Sequence, residues 1–137
     1  MADMATPKDI LEYAETIAVV GASRDPRKPG GSIPPVLQRY GFRVIPVNPS
    51  ADSLFGETCY KTLEDVPEHI DVVQVFRPST DAPEIARQAV AVGATALWLQ
   101  TGILSPVARQ IAEDAGLDFV EDRCMTVERA KYAIRKG

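Results

Sequence analysis

A doubly wound α/β domain is predicted by three features of the 137-residue chain. Short apolar runs rich in β-branched residues recur along it, Gly, Pro or Asn closes them, and stretches with helical apolar spacing follow. The runs are apolar throughout rather than alternating, which suits strands covered on both faces, as in a parallel sheet. Strands alternating with amphipathic helices imply right-handed βαβ units, and those restrict the topology to helices on both sides of one sheet.

Lys8 to Ala14 reads as a lead-in helix with Ile10, Leu11 and Ala14 on one face. Thr16 to Val20 is the first strand, closed by Gly21. The next helix is expected near Ser32 as N-cap, with Pro34 and Pro35 in its first turn, where a missing N–H costs little. Ile33, Val36, Leu37 and Tyr40 then form its inward stripe, and Gly41 ends it. Arg43 to Val47 is the second strand, with Pro46 confined to its end or to a bulge. Leu54 to Tyr60 reads as a loop with room for a short strand, and Thr62 to Asp65 as one helical turn. Asp71 to Phe76 is the third strand, and Pro83 to Val92 a helix with Ile85, Ala86, Ala89 and Val90 inward. Ala94 to Leu99 is the fourth strand. Ser105 caps a helix beginning with Pro106, whose expected apolar face is Val107, Ile111, Ala112 and Ala115. Leu117 to Val120 is a short fifth strand, and Thr126 to Ile134 a final helix. The prediction is one Rossmann-like doubly wound domain over 1–137, with about five mostly parallel strands and helices on both faces.

Composition narrows the function classes. The chain is 45% hydrophobic and 25% charged, as globular chains are, and no apolar run is long enough to span a membrane. Met1 to Pro7 has neither a basic nor an apolar leader region, so a cytoplasmic address is expected. A net charge of −4 argues against a nucleic-acid partner, though local cations can still hold a polyanionic ligand. With one histidine, His69, and two cysteines, Cys59 and Cys124, no metal site is expected and both thiols should be free.

Ligands of open α/β sheets lie outside the carboxyl ends of the strands, where strand order reverses. The segments that meet there are Gly21-Ala22-Ser23-Arg24, Val47-Asn48-Pro49, Phe76-Arg77-Pro78-Ser79, Gln100-Thr101-Gly102 and Asp122-Arg123-Cys124. The first loop says most. Gly21, Gly30 and Gly31 allow close backbone approach, a helix N-terminus follows, and Arg24, Arg27 and Lys28 supply cations. That combination favours a phosphate or pyrophosphate over mere turn glycines and solvated charge. The loop departs from the dinucleotide fingerprint: Gly21-Ala22-Ser23 lacks the second glycine, and the second strand ends in Asn48-Pro49 rather than in an acidic residue. Both departures weigh against NAD. An NADP-dependent oxidoreductase survives only if Arg24 or Lys28 serves a 2′-phosphate.

Val19 to Asp25, Lys28-Pro29-Gly30, Val44 to Pro49 and Asp71 to Pro78 together resemble the CoA-binding protein family. That family is similar to the CoA-binding domain of the succinyl-CoA synthetase alpha subunit and of ADP-forming acyl-CoA synthetases. Trp98 to Gly102 and Glu121 to Met125 resemble its later segments, so the likeness spans about Thr16 to Glu128. The resemblance implies coenzyme A, or an acyl-CoA, as ligand. Gly21, Ala22, Ser23 and the Lys28-Pro29-Gly30 turn would hold phosphates, with Arg24 and Lys28 facing the charged nucleotide end. Val47, Asn48 and Pro49 would line the wall beside the ADP portion. Phe76, Arg77 and Pro78 would meet the pyrophosphate and the start of the pantetheine arm, and Gln100, Thr101 and Gly102 would follow it. In the larger synthetases a ligase-type domain carries a phosphorylated histidine. Nothing up to Gly137 matches that domain, and His69 is expected at the opposite edge of the sheet, so a non-catalytic binding module is implied.

Other readings compete. Cys124 beside Arg123 at a strand's carboxyl end could be a low-pKa nucleophile for thiol or acyl transfer. The ordinary reading is a small buried thiol. A sensor or assembly role would add a protein partner or a second copy, and Tyr132 and Ile134 could dock the last helix on either its own domain or another subunit.

Overall fold

The computed structural model describes residues 5–137; residues 1–4, part of the segment read above as leader-free, lie outside them. Helix α1 (Pro7–Tyr13) starts at a capping box between Thr6 and Asp9, and Ile10, Leu11 and Ala14 are fully buried. Strand β1 (Thr16–Val20) leads through the first loop to α2 (Pro29–Arg39) and β2 (Arg43–Val47). A hairpin of two-residue strands follows, β3 (Ser53–Leu54) and β4 (Glu57–Thr58), where the sequence suggested a loop with room for a short strand. Its turn residues Phe55 and Gly56 both have positive φ, 58° and 76°, the geometry that matches strand twist in tight hairpins. After a 3-10 turn at Leu63–Asp65 come β5 (Val72–Val75), α3 (Ala82–Ala91), β6 (Ala96–Leu99), α4 (Pro106–Asp114), β7 (Asp118–Val120) and α5 (Met125–Lys131).

Five strands form one parallel sheet in the order β2-β1-β5-β6-β7. The chain steps outward from β1 to β2, then returns to the other side of β1 with β5. The reversal therefore lies between the carboxyl ends of β1 and β5. Alternate residues of each strand feed two cores. Ile17, Val19, Val72 and Trp98 pack with Ile10, Leu37 and Met125, burying α1, α2 and α5 on one face. Ala18, Val73, Val75, Leu97 and Leu99 pack with Ile85, Ala89, Ala108 and Ala112, burying α3 and α4 on the other. This is the predicted doubly wound α/β domain.

Two helices differ from expectation. α2 starts at Pro29, with Lys28 rather than Ser32 at its N-cap, so Pro34 and Pro35 lie inside it. Pro34 has no N–H for the Gly30 carbonyl one turn back. That carbonyl instead accepts from the Ser23 amide at 3.0 Å, so the proline frees an acceptor that ties the first loop to the helix. Its buried residues are Gly30, Gly31, Pro34 and Leu37, because the earlier start brings the glycines inward; Ile33, Val36 and Tyr40 are only partly covered. In α4, Ser105 caps as predicted, accepting from the Ala108 amide, but Val107 is 56% exposed and Ala115 is exposed as well. Ala108 takes the inward position expected of Val107, which brings α4 close to α3.

Pro46 behaves as the sequence required. It lies on an edge strand, with its carbonyl turned away from β1 to accept from the Tyr60 amide. Its missing N–H, which points the same way, therefore costs β1 no ladder bond.

Candidate functional site

The β1–α2 loop is packed backbone to backbone. Gly21 has φ +89° and bends the chain sharply at the end of β1. A Cβ on Gly30 would lie 2.5 Å from the Gly21 carbonyl oxygen, and one on Gly31 would lie 2.1 Å from that of Asp25. These glycines are needed first for the loop to pass over its own helix, rather than for ligand approach alone. Several amides are committed inside the loop: Gly21 to Val47 O, Ser23 to Gly30 O, Lys28 to Asp25 O and Gly31 to Lys28 O. Asp25 and Arg27 donate to Ser23 Oγ and Asp25 Oδ1. Among the described residues, the amides of Ala22, Arg24 and Gly30 have no acceptor.

Two clefts open on this loop, of about 550 Å³ and 730 Å³. Both are bounded by Gly21, Ser23, Lys28, Phe76 and Arg77, so they meet over the β1–β5 reversal. The first also takes in Pro29, Gly30, Pro78, Gln100 and Thr101. The second takes in Ala22, Val47, Asn48 and Pro49. Two expected residues line neither. Arg24 turns its guanidinium to the Ser50 carbonyl at 3.5 Å, and the Gly102 amide donates to Asp122 Oδ1 at 2.7 Å.

The charges are arranged unevenly. Arg27 is bound to Asp25 at 3.1 Å and borders neither cleft, and its guanidinium and amide hold the Asp25 carboxyl below its ordinary range. Arg77 pairs with Asp81 at 3.0 Å while its methylenes lie against Gly21. Lys28 has no carboxylate partner among the described residues and borders both clefts. Asn48 is a staple: its Nδ2 donates to the Ala22 carbonyl at 2.7 Å and its Oδ1 accepts from the Ser50 amide at 2.7 Å.

Three residues of the first cleft fell outside the expected set: Ile33, Ile103 and Cys124. For Cys124 the signal existed, since its segment sits at a strand's carboxyl end, but the ordinary reading as a buried thiol prevailed. Burial alone would raise this thiol's pKa. Hydrogen bonds from the Thr126 hydroxyl, from the Val127 and Thr126 amides and from Gln100 outweigh burial and bring it below the ordinary value. Cys59 shows the opposite: buried beneath the hairpin loop, it is pushed up by desolvation. His69 lies by Asp71 and Thr95 at the amino end of the sheet, away from both clefts.

Known proteins share this architecture. The chain is 32% identical over 123 residues to the uncharacterized protein YneT of Bacillus subtilis, covering 90% of this chain and 91% of that one. A hypothetical protein from Pyrococcus horikoshii has the same fold, with a TM-score of 0.90 at 32% identity over 97% of this chain and 99% of its own. The ADP-forming acetate–CoA ligase II of Archaeoglobus fulgidus is 35% identical over 85 residues, 61% of this chain but only 13% of that enzyme. A family model described as a CoA binding domain matches residues 15–130, and the chain belongs to that family.

Proposed function

We propose that the chain binds coenzyme A or an acyl-CoA across the two clefts, as a module that holds and presents the cofactor. The observation that carries this reading is the junction of the clefts. Lys28, with no carboxylate partner, stands at that junction at the N-terminus of α2, and the free amides of Gly30 and Ala22 lie one in each adjoining cleft, the chemistry that a pyrophosphate requires. Lys28 and the amides of Ala22 and Gly30 would take the phosphates. The second cleft, walled by Val47, Asn48 and Pro49, would take the ADP portion. The first, running past Phe76, Pro78, Gln100 and Thr101, would take the pantetheine arm. Gly102 would act by holding the Gln100–Thr101 turn, and Arg24 by tying the loop to the Ser50 carbonyl. A cytoplasmic setting, where the cofactor is abundant, belongs to the same reading.

NADPH is the natural competitor, and Asn48 speaks against it. The second-strand end, where dinucleotide sites place their ribose-binding or 2′-phosphate-binding side chain, carries an amide already committed to Ala22 and Ser50.

Ligand linkage provides the test. Coenzyme A at about 100 times its Kd should stabilise the fold by about 2.7 kcal/mol and raise the melting temperature, while NADH and NADPH leave it unchanged. Lys28→Ala should weaken coenzyme A about tenfold or more, the size of a lost charge-assisted contact. Because Lys28 stands at the junction, dephospho-CoA should lose as much. Stabilisation by NADPH with no response to coenzyme A would overturn the reading.

A further inference from the structure

We infer that the Pro49–Ser50 turn, where Lys61 and Arg24 reach successive carbonyls, seats the 3′-phosphate of the cofactor, so that these two cations select coenzyme A over dephospho-CoA. This rests on the coenzyme A reading and deepens it. The pyrophosphate assigned to Lys28 is common to both molecules, whereas the ribose monoester phosphate belongs to only one.

The backbone fixes where Lys61 stands. The Tyr60 amide donates to Pro46 O at 3.0 Å, and its carbonyl accepts from the Asn48 amide at 2.9 Å. Tyr60 is thereby bridged to Val47, which sets the next residue, Lys61, beside Asn48 and Pro49. Lys61 lines the second cleft together with Val47, Asn48, Pro49 and Ser50, the wall assigned to the ADP portion. Its Nζ donates to the Pro49 carbonyl at 3.4 Å, and Arg24 donates to the Ser50 carbonyl at 3.5 Å from the rim. Two separate loops thus bring two positive charges to one turn. Asn48 clamps the first loop to the same wall through the Ala22 carbonyl at 2.7 Å, which keeps the pyrophosphate loop beside this turn.

Neither charge is spent. Both carbonyl contacts are long and weak. Among the described residues Arg24 has no carboxylate partner. Lys61 has Asp52 at 3.7 Å, but that side chain is fully exposed, so water and salt screen the attraction. The carboxylates that border the cleft, Asp81 and Glu84, come from the β5–α3 side and are held there by Arg77 and Arg87 at 3.0 and 2.9 Å. Negative charge on that side repels a phosphate, and the gathered cations attract one, so a dianion settles on the β2 side.

The experiment is titration calorimetry of the full chain with coenzyme A and dephospho-CoA at low ionic strength. Coenzyme A should bind about tenfold tighter, the size of a charge-assisted contact. Lys61→Ala should remove most of that preference by weakening coenzyme A alone, and its undiminished binding of dephospho-CoA would show that the variant is folded. Lys61→Arg should keep the preference. Arg24→Ala should cost coenzyme A more than dephospho-CoA, whatever the loop tie contributes to both. 3′,5′-ADP should bind tighter than 2′,5′-ADP. Equal affinity for the two cofactors, or an equal loss of both in Lys61→Ala, would overturn the inference and leave coenzyme A binding standing. A preference for 2′,5′-ADP would overturn it in favour of a 2′-phosphate ligand. Binding of neither cofactor would overturn both readings.

Discussion

Gly31 is held where only a hydrogen fits beside its Cα. Its φ is ordinary, so the constraint is contact and not conformation. Gly31→Ala drives a methyl into the Asp25 carbonyl and should cost about 2 kcal/mol or more, as overpacking does. Gly116 has φ +78° and open space around it, so Gly116→Ala should cost only about 1 kcal/mol, the left-handed backbone penalty. Urea unfolding of the two variants checks the ranking, and equal losses would mean that the first loop yields easily. Such positions were half legible in the sequence. The glycines and the lysine of the loop stand out by type and place, and the structure brings most of them to the clefts. What the sequence could not convey is how the loop's donors are shared. Ser23 spends its amide on Gly30, Asn48 spends its side chain on Ala22, and Arg27 spends its charge on Asp25. The Asp25–Arg27 pair is a local Asx-turn, but the other two contacts join residues 7 and 26 positions apart, which no local pattern encodes.

Among the elements, α2 and α4 carry the same start signals with different outcomes. Each has a hydroxyl residue followed by proline, Ser32 with Pro34-Pro35 and Ser105 with Pro106. In α4 the signal is true: Ser105 Oγ accepts from the Ala108 amide at 3.0 Å. In α2 an earlier Pro29 opens the helix, and the later prolines persist inside it because the loop supplies a donor for the Gly30 carbonyl. Glycines at 30 and 31 are poor helix formers, so propensity hid the first turn, and the tertiary bond from Ser23 decided it. Ser105→Ala should lower stability by about 1 kcal/mol, a typical cap loss, read from denaturant midpoints. Coenzyme A affinity should stay unchanged, since Ser105 borders neither cleft. A weakened cofactor would instead make α4 part of the site.

For the molecule as a whole, the two ends of the sheet have separate tasks. At the carboxyl end lie the clefts. At the amino end Asp71 Oδ2 accepts from the Glu15 and Thr16 amides at 2.8 and 3.0 Å, tying β5 to the entry of β1. Asp71→Ala strands both donors and should cost about 2–3 kcal/mol, with cofactor affinity unaltered in calorimetry. A parallel loss of affinity would show that the ends are coupled. The topology was readable because each strand is apolar throughout and each helix has one apolar face, so only a two-sided sheet buries both. The docking of the last segment was not readable. It folds back on its own domain, with Ile134 against the core, Lys136 bonded to the Tyr40 carbonyl and Arg129 stacked 3.5 Å from the Tyr40 ring. The sheet's flanks carry a last consequence. On one side Tyr60 bridges to Val47 beside Pro46, and on the other the terminal strand is three residues long, with Asp118 held by Tyr13. Neither flank is a good template for a foreign strand, so lateral growth of the sheet into ribbons or aggregates is discouraged at both borders.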